Sequence, residues 1–385
     1  MAIVNSAGAD LVAFFGDFIG RATYLGGEKI WPKDANISVI IANANPAQNA
    51  PMWGEYSQAS GMVYTARRTT SNSVGAFDVA RGKLVKVFES NPTTSAGFNS
   101  ITFTEDGSRG WVSADSGVYL FDPTLGVGAK IDATAAWWAV SPSGGSEVYV
   151  SHRNSRLVRV YGAESNAQVG ADIPTPNGGD KLAANASGSQ VYSMSVAGKC
   201  VYVIDTASKT VLGAPITDTA KGIGSGIAGG SGNRCYTCRD SVIYSINTDT
   251  GTVEHQYEAT GVVFNALRYV PETSRLYGMS DTGKVIHVFD TSGSVPALVD
   301  TISLRMTGVQ AMAPYDGGNW AITVHTPIDT SQRASNEIVY LGPAPDSTAV
   351  TAIAPEPWQP ATGWVNSEPL PPQPMPDPEP IADAF

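Results

Sequence analysis

One repeated unit constrains this chain more than any other feature. Its first landmark is an apolar-aromatic step just after a turn. It occurs as "GMVYTA" at Tyr64, "GWVSAD" at Val112, "EVYVSH" at Tyr149, "QVYSMS" at Tyr192, "RCYTCR" at Tyr236, "RLYGMS" at Tyr277 and "NWAITV" at Ala321. A second landmark, the turn after the following strand, keeps step at Asp78, Asp122, Gly162, Asp205, Asn247, Asp290 and Gly342. Two landmarks sharing a period of about 43 residues define seven copies of one part.

Each copy reads as four short strands, A to D. The A–B connections ("TEDGSRG", "SPSGGSE", "ASGSQ", "GGSGNR", "PYDGGN") are turns, with Gly supplying positive φ and Asp or Ser capping through the side chain. Strand C is β-branched, as in "CVYVID", and the Asp that closes it is placed to accept hydrogen bonds from the C–D turn. A unit of about 40 residues with four strands is a propeller blade. No blade can cover both faces of its own sheet, so the blades must pack radially. The expected fold is all-β, a seven-bladed β-propeller of four-stranded blades over residues 52–342, between an N-terminal arm (1–51) and an acidic, Pro-rich C-terminal arm (343–385).

"VYVSHRNSRLVRVYG" (148–162) and "VYVIDTASKTVLGAPI" (201–216) resemble the YVTN-type β-propeller repeat, V-Y-V-[ST]-N followed by V-x-V-I-D-x-x-T. The match is close in blade 4, recognisable in blades 2, 3, 5 and 6, and weak in blades 1 and 7. It implies the propeller fold. It implies no single activity, because such repeats serve proteins of many functions.

Two segments compete for the outer strand of the last blade: "STAVTAIAP" (347–355) and "NISVIIANA" (36–44). The second is favoured, because it would clasp the N-terminal region to the end of the ring and hide its edge. The apolar run Leu11–Ile19 has no Lys or Arg before it and is broken by Gly16 and Asp17, so it reads as a docking segment rather than a secretion signal or membrane span. The expected place of synthesis is the cytoplasm. Residues 343–385 hold 12 of the 25 prolines and no Lys or Arg, which favours extended polyproline II. Trp358 and Trp364 are the apolar anchors of that arm.

Chemistry is sparse. A net charge of −11 argues against nucleic-acid binding, which needs a Lys/Arg surplus. His152, His255, His287 and His325 are expected at different places in their blades (the B–C loop and strands D, C and B), which disfavours a metal cluster or a triad. Cys235 and Cys238 stand three apart on one strand, so their side chains should diverge, and no second ligand pair accompanies them. They read, with Cys200, as buried thiols. The run "KGIGSGIAGGSGNR" (221–234) lacks the G-K-[ST] ending of a phosphate loop and reads as a small-residue strand A flanked by turns. "NTDTGTVE" (247–254) lacks the later carboxylates of a calcium loop. No cofactor is implied.

The B–C loops gather Arg67, Arg68, Arg153, Arg156, Lys199, Arg239, Lys284 and Arg333, which makes their face a candidate for an anionic ligand. The D–A loops on the same face carry Glu89, Asp132, Asp180, Asp218, Glu258 and Asp300, so pairing between loops competes with that reading. The expected function is a non-catalytic structural and interaction protein, a propeller body tied to other protein subunits by its arms, as in a phage or virus particle. The alternatives are a lactonase-like propeller hydrolase and a carbohydrate-binding propeller using Trp137 or Trp138.

Overall fold

Apolar residues alternating with period two, interrupted by Gly, Asp and Ser turns, give antiparallel strands, and the computed structural model is built almost wholly of them. It describes residues 51–67, 73–78, 83–89, 97–217, 223–280, 285–293, 295–303, 309–315, 320–325 and 335–341, and five short strands nearer the N-terminus. Residues 343–385, with Trp358 and Trp364, lie outside the described residues, as do Arg68, Lys284 and Arg333.

Six sheets of one design follow each other, each antiparallel and ordered A-B-C-D. Blade 1 comprises Pro51–Ser57, Met62–Arg67, Ser73–Asp78 and Lys83–Glu89. Blade 2 comprises Phe98–Phe103, Gly110–Ala114, Gly117–Asp122 and Gly126–Asp132. Blade 3 comprises Trp138–Val140, Glu147–His152, Leu157–Gly162 and Ile173–Pro174. Blade 4 has Lys181–Ala184, Gln190–Ser195 and Cys200–Asp205, then an outer position shared by Thr210–Val211 and Ile216–Thr217. Blade 5 comprises Gly226–Gly229, Arg234–Arg239, Val242–Asn247 and Thr252–Glu258. Blade 6 comprises Phe264–Val270, Arg275–Ser280, Val285–Asp290 and Ala297–Ser303.

The strands A pack in succession around a common channel. Beyond blade 6, Val309–Tyr315 pairs with Trp320–His325 and lies against strand A of blade 6 on one side and strand A of blade 1 on the other. Ser335–Leu341 pairs antiparallel with Ile37–Asn43, Val339 facing Val39. Six four-stranded blades are therefore complete among the described residues, and the stretch expected from sequence to form a seventh shows two separate strand pairs rather than one four-stranded sheet. Upstream, Ile3–Val4 pairs with Asp10–Leu11 and Thr23–Leu25 with Glu28–Trp31.

The core is layered between blades. Tyr192, Met194, Val201, Ile227, Cys235 and Tyr244 fill the space between blades 4 and 5, and Ala228, Tyr236, Cys238, Phe264, Leu267 and Phe289 fill that between blades 5 and 6. Cys235 and Cys238 thus sit in different layers on opposite faces of one strand, as their spacing requires. Both are buried thiols, as is Cys200. Burial pushes the Cys235 thiol up and that of Cys238 up to about 12.

The two sequence landmarks turn out to touch. The strand-B tyrosine of one blade reaches the residue just after the strand-C Asp or Asn of the next. Tyr64 Oη donates to the Pro123 carbonyl at 3.1 Å and Tyr149 Oη to that of Thr206 at 3.2 Å, while Tyr192 pairs with Thr248 and Tyr236 with Thr291. The Asp or Asn holds that turn from within: Asp122 Oδ1 accepts from the Thr124 and Leu125 amides, Asp205 Oδ1 from Ser208, Asn247 Oδ1 from Asp249 and Thr250, and Asp290 Oδ1 from Ser292. The period read from sequence is thus the spacing of an inter-blade bond.

Candidate functional site: the channel mouth

A cavity of about 680 Å³ opens at the channel mouth on the face of the A–B turns. Its walls are the ends of strand A from blades 1 to 6, joined by Pro314. The local sequence explains why a cavity of this size remains. Strand A of blade 5 is "GIAG", and a Cβ on Gly229 would stand 1.9 Å from the Ala184 carbonyl oxygen, so only glycine lets blades 4 and 5 meet there. Small residues on one side of the ring are offset by indoles on the other. Trp53 (blade 1) and Trp138 (blade 3) meet edge to face, centroids 4.6 Å apart, and close the floor.

Charge is arranged in tiers. Lys181 reaches across the channel, donating to the carbonyls of Ser225 (2.6 Å) and Asn265 (3.1 Å), its ammonium 5.6 Å from the Trp138 ring centre. Higher in the mouth, Arg268 of blade 6 grips Glu55 of blade 1 through two bonds, Nη1 to Oε2 at 3.0 Å and Nη2 to Oε1 at 2.5 Å. Both side chains are 21% exposed. Trp53 Nε1 donates to the same Glu55 carboxylate at 3.3 Å. Glu105 and Glu272 stand exposed on the rim. No histidine or cysteine lines the mouth among the described residues.

At the other end of the channel, strand A carries one unpaired extra residue at the same step in blades 1, 2 and 6 and in Val309–Tyr315, namely Met52, Asn99, Asn265 and Gln310. Asn99 and Asn265 donate to the carbonyls of Ala136 (3.0 Å) and Val309 (3.1 Å), tying each blade to the next unit.

The described members of the basic set singled out from sequence, Arg67, Arg153, Arg156, Lys199 and Arg239, lie on this other face and do not line the cavity. Arg153 meets Asp180 at 2.7 Å and covers the Trp137 ring, and Asp180 also accepts the Val196 amide of the next B–C loop. Arg239 lies 3.6 Å from Asp240. Arg156 and Lys199 occupy left-handed turn positions, φ 57° and 51°. Arg67 ends strand B of blade 1. Among the described members, the Arg153–Asp180 contact is one pairing of a B–C with a D–A loop. Trp138 is buried at the channel floor, and Trp137 is half-buried beneath Arg153.

The histidines are dispersed. His152 is the last residue of strand B rather than part of the B–C loop, and it is fully buried, its Nδ1 3.1 Å from the Ala135 carbonyl. Its Nε2 is 3.7 Å from Asp132, a carboxylate that also accepts from Tyr161, Arg159 and the Thr134 amide. Burial alone would raise the Asp132 carboxyl, but those hydrogen bonds outweigh it and hold it well below the usual range. His287 is packed among Tyr257, Phe264 and Phe289. Burial lowers both imidazoles, against the attraction of Asp132 in the case of His152. His255 lies on strand D and His325 on strand Trp320–His325. Among the described residues no group of three or more His, Cys, Asp or Glu is placed to hold a metal ion. No helix among them is long and apolar enough to cross a membrane.

No protein-family model matches the sequence, and no curated protein does. Solved structures match the fold. The WD40 repeats of RRP9 superpose with a TM-score of 0.66 at 13% identity, covering 80% of this chain and 98% of that one. U3-55K gives 0.66 at 12%, covering 80% and 99%. A chain of the Mitotic Checkpoint Complex gives 0.62 at 15%, covering 87% and 99%. The chain is a β-propeller. At such identities the likeness is one of fold.

Proposed function

We propose that this protein is a non-catalytic interaction scaffold: a rigid propeller that presents its faces to other proteins and is tied into a larger assembly through its terminal arms. The observation that carries this reading is the use of charge at the channel mouth. A hydrolase there would need an imidazole or an activated carboxylate free to act on a substrate. Glu55 and Arg268 instead spend their charges on each other, and His152 and His287 are sealed between or within blades. The similar solved propellers include a chain of a multi-protein checkpoint complex, which fits the same reading.

In this proposal the ring has seven blades. The last comprises Val309–Tyr315, Trp320–His325, Ser335–Leu341 and, as its outer strand, Ile37–Asn43. The support is the pairing of residues 335–341 with 37–43 and the position of Val309–Tyr315 between blades 6 and 1. Closing the ring with an N-terminal strand clasps the two ends of the repeat array. The setting we propose is a phage or virus particle, on the acidic, Ala/Ser/Thr/Asn/Gly-rich composition and the apolar and Pro-rich arms. Sedimentation tests the scaffold reading. The full chain should self-assemble or join a partner particle, and a chain ending at residue 342 should lose that ability while staying folded. Equal, stable monomers throughout would remove the scaffold reading.

A further inference from the structure

The two faces of the propeller differ in how their charges are spent. On the face of the A–B and C–D turns, the described cations are already engaged. Arg109 donates to the carbonyls of Ala163 and Glu164, Lys209 pairs with Glu147 at 2.9 Å, Arg275 pairs with Asp290, and Arg234 donates to the Gly293 carbonyl. Arg268 is held by Glu55 in the cavity itself. Glu105 and Glu272 have no cationic partner among the described residues. Glu105 accepts one backbone bond, from Gly144, and Glu272 stands on the turn Pro271–Thr273. Among the described residues the cavity therefore carries two carboxylates without a cationic partner on its rim, above a floor of Trp53, Trp138 and Leu182, in a chain of net charge −11.

We propose that this mouth is the docking site for an extended, Lys/Arg-bearing segment of a partner protein, which deepens the scaffold reading and rests on it. The molecule supplies its own precedent. The Arg268 guanidinium sits in the same cavity, on a carboxylate and 5.8 Å from the Trp53 ring centre, so the walls already solvate a planar cation. A second guanidinium or ammonium finds the exposed carboxylates of Glu105 and Glu272 at the rim of the same cavity. A volume of about 680 Å³ holds one such side chain with the backbone on either side of it. An acidic segment or a nucleic acid would meet the Glu105 and Glu272 carboxylates first, at the rim.

The test uses the full chain and a short Gly/Ser peptide carrying alternating Arg and Lys, with its Glu-substituted counterpart as the comparison. Calorimetry should show binding of the basic peptide alone, weakened about tenfold by the double variant Glu105→Lys/Glu272→Lys. Raising salt from about 50 mM to about 500 mM should weaken it further. The control Glu258→Lys, on the opposite face, should bind like the parent. Circular dichroism checks that each variant is folded. Binding that survives the double variant, that is lost equally in the control, or that is the same for the acidic peptide overturns the proposal. Sedimentation of the same samples separates the two levels. Assembly retained without peptide binding defeats the docking site alone, whereas absence of assembly in the parent defeats the scaffold reading.

Discussion

Tyr149 shows what one residue does in this ring. Its ring fills the layer between blades and its hydroxyl reaches the Thr206 carbonyl of the next blade. Tyr149→Phe keeps the packing and removes the bond, and should cost about 1 kcal/mol in denaturant unfolding. Gly229→Ala should cost more, about 2–3 kcal/mol, because a Cβ 1.9 Å from the Ala184 oxygen forces two strands apart. The tyrosines were legible in sequence as a period, although the bond that makes them periodic was not. Glu55 and Arg268 were not legible at all. They are 213 residues apart, and no local pattern marks a pair that meets only when the ring has formed.

Elements extend the same logic. The strand-C Asp ties down the C–D turn onto which the preceding blade's tyrosine docks, so Asp205→Ala should destabilise by about 1 kcal/mol. That role was readable from "VIDTASK", since an Asp before a Ser/Thr turn has few other uses. Strand D was less readable. In blade 4 it is split into Thr210–Val211 and Ile216–Thr217, because the exposed stretch 213–215 leaves the ladder between two separate pairings with strand C. His152 was assigned to a loop because strand ends depend on pairing, and its partner Leu157 extends the ladder by one step. The buried histidines also set a pH dependence. His152 and His287 are depressed in the folded state, so below the ordinary histidine pKa of about 6.5 the unfolded chain binds protons that the folded one refuses. Stability should therefore fall as pH drops from 7 towards 5. It should fall again below about pH 4, where the depressed Asp132 must be protonated in the unfolded chain first. Thermal unfolding across that range checks both steps, and His287→Phe should flatten the first.

The whole molecule was the most legible level for fold and the least for function. Seven repeats imply radial packing, because a four-stranded blade has two apolar faces and no other way to cover both. The mouth was invisible beforehand because its walls come from strand A of six blades, brought together only when the ring forms. The basic B–C loops stood out in the sequence instead, and one of them, through Arg153, pairs with Asp180 of the neighbouring D–A loop on the opposite face. If Ile37–Asn43 closes the ring, a chain lacking residues 1–50 should unfold at lower temperature by several degrees, since its last blade loses an outer strand. The most direct measurement of the closed ring is peptide-resolved hydrogen–deuterium exchange on the full chain. Residues 37–43 and 335–341 should be protected together, exchanging on the timescale of the strands of blades 2 to 6. Rapid exchange of both segments while those blades stay protected would contradict the N-terminal closure.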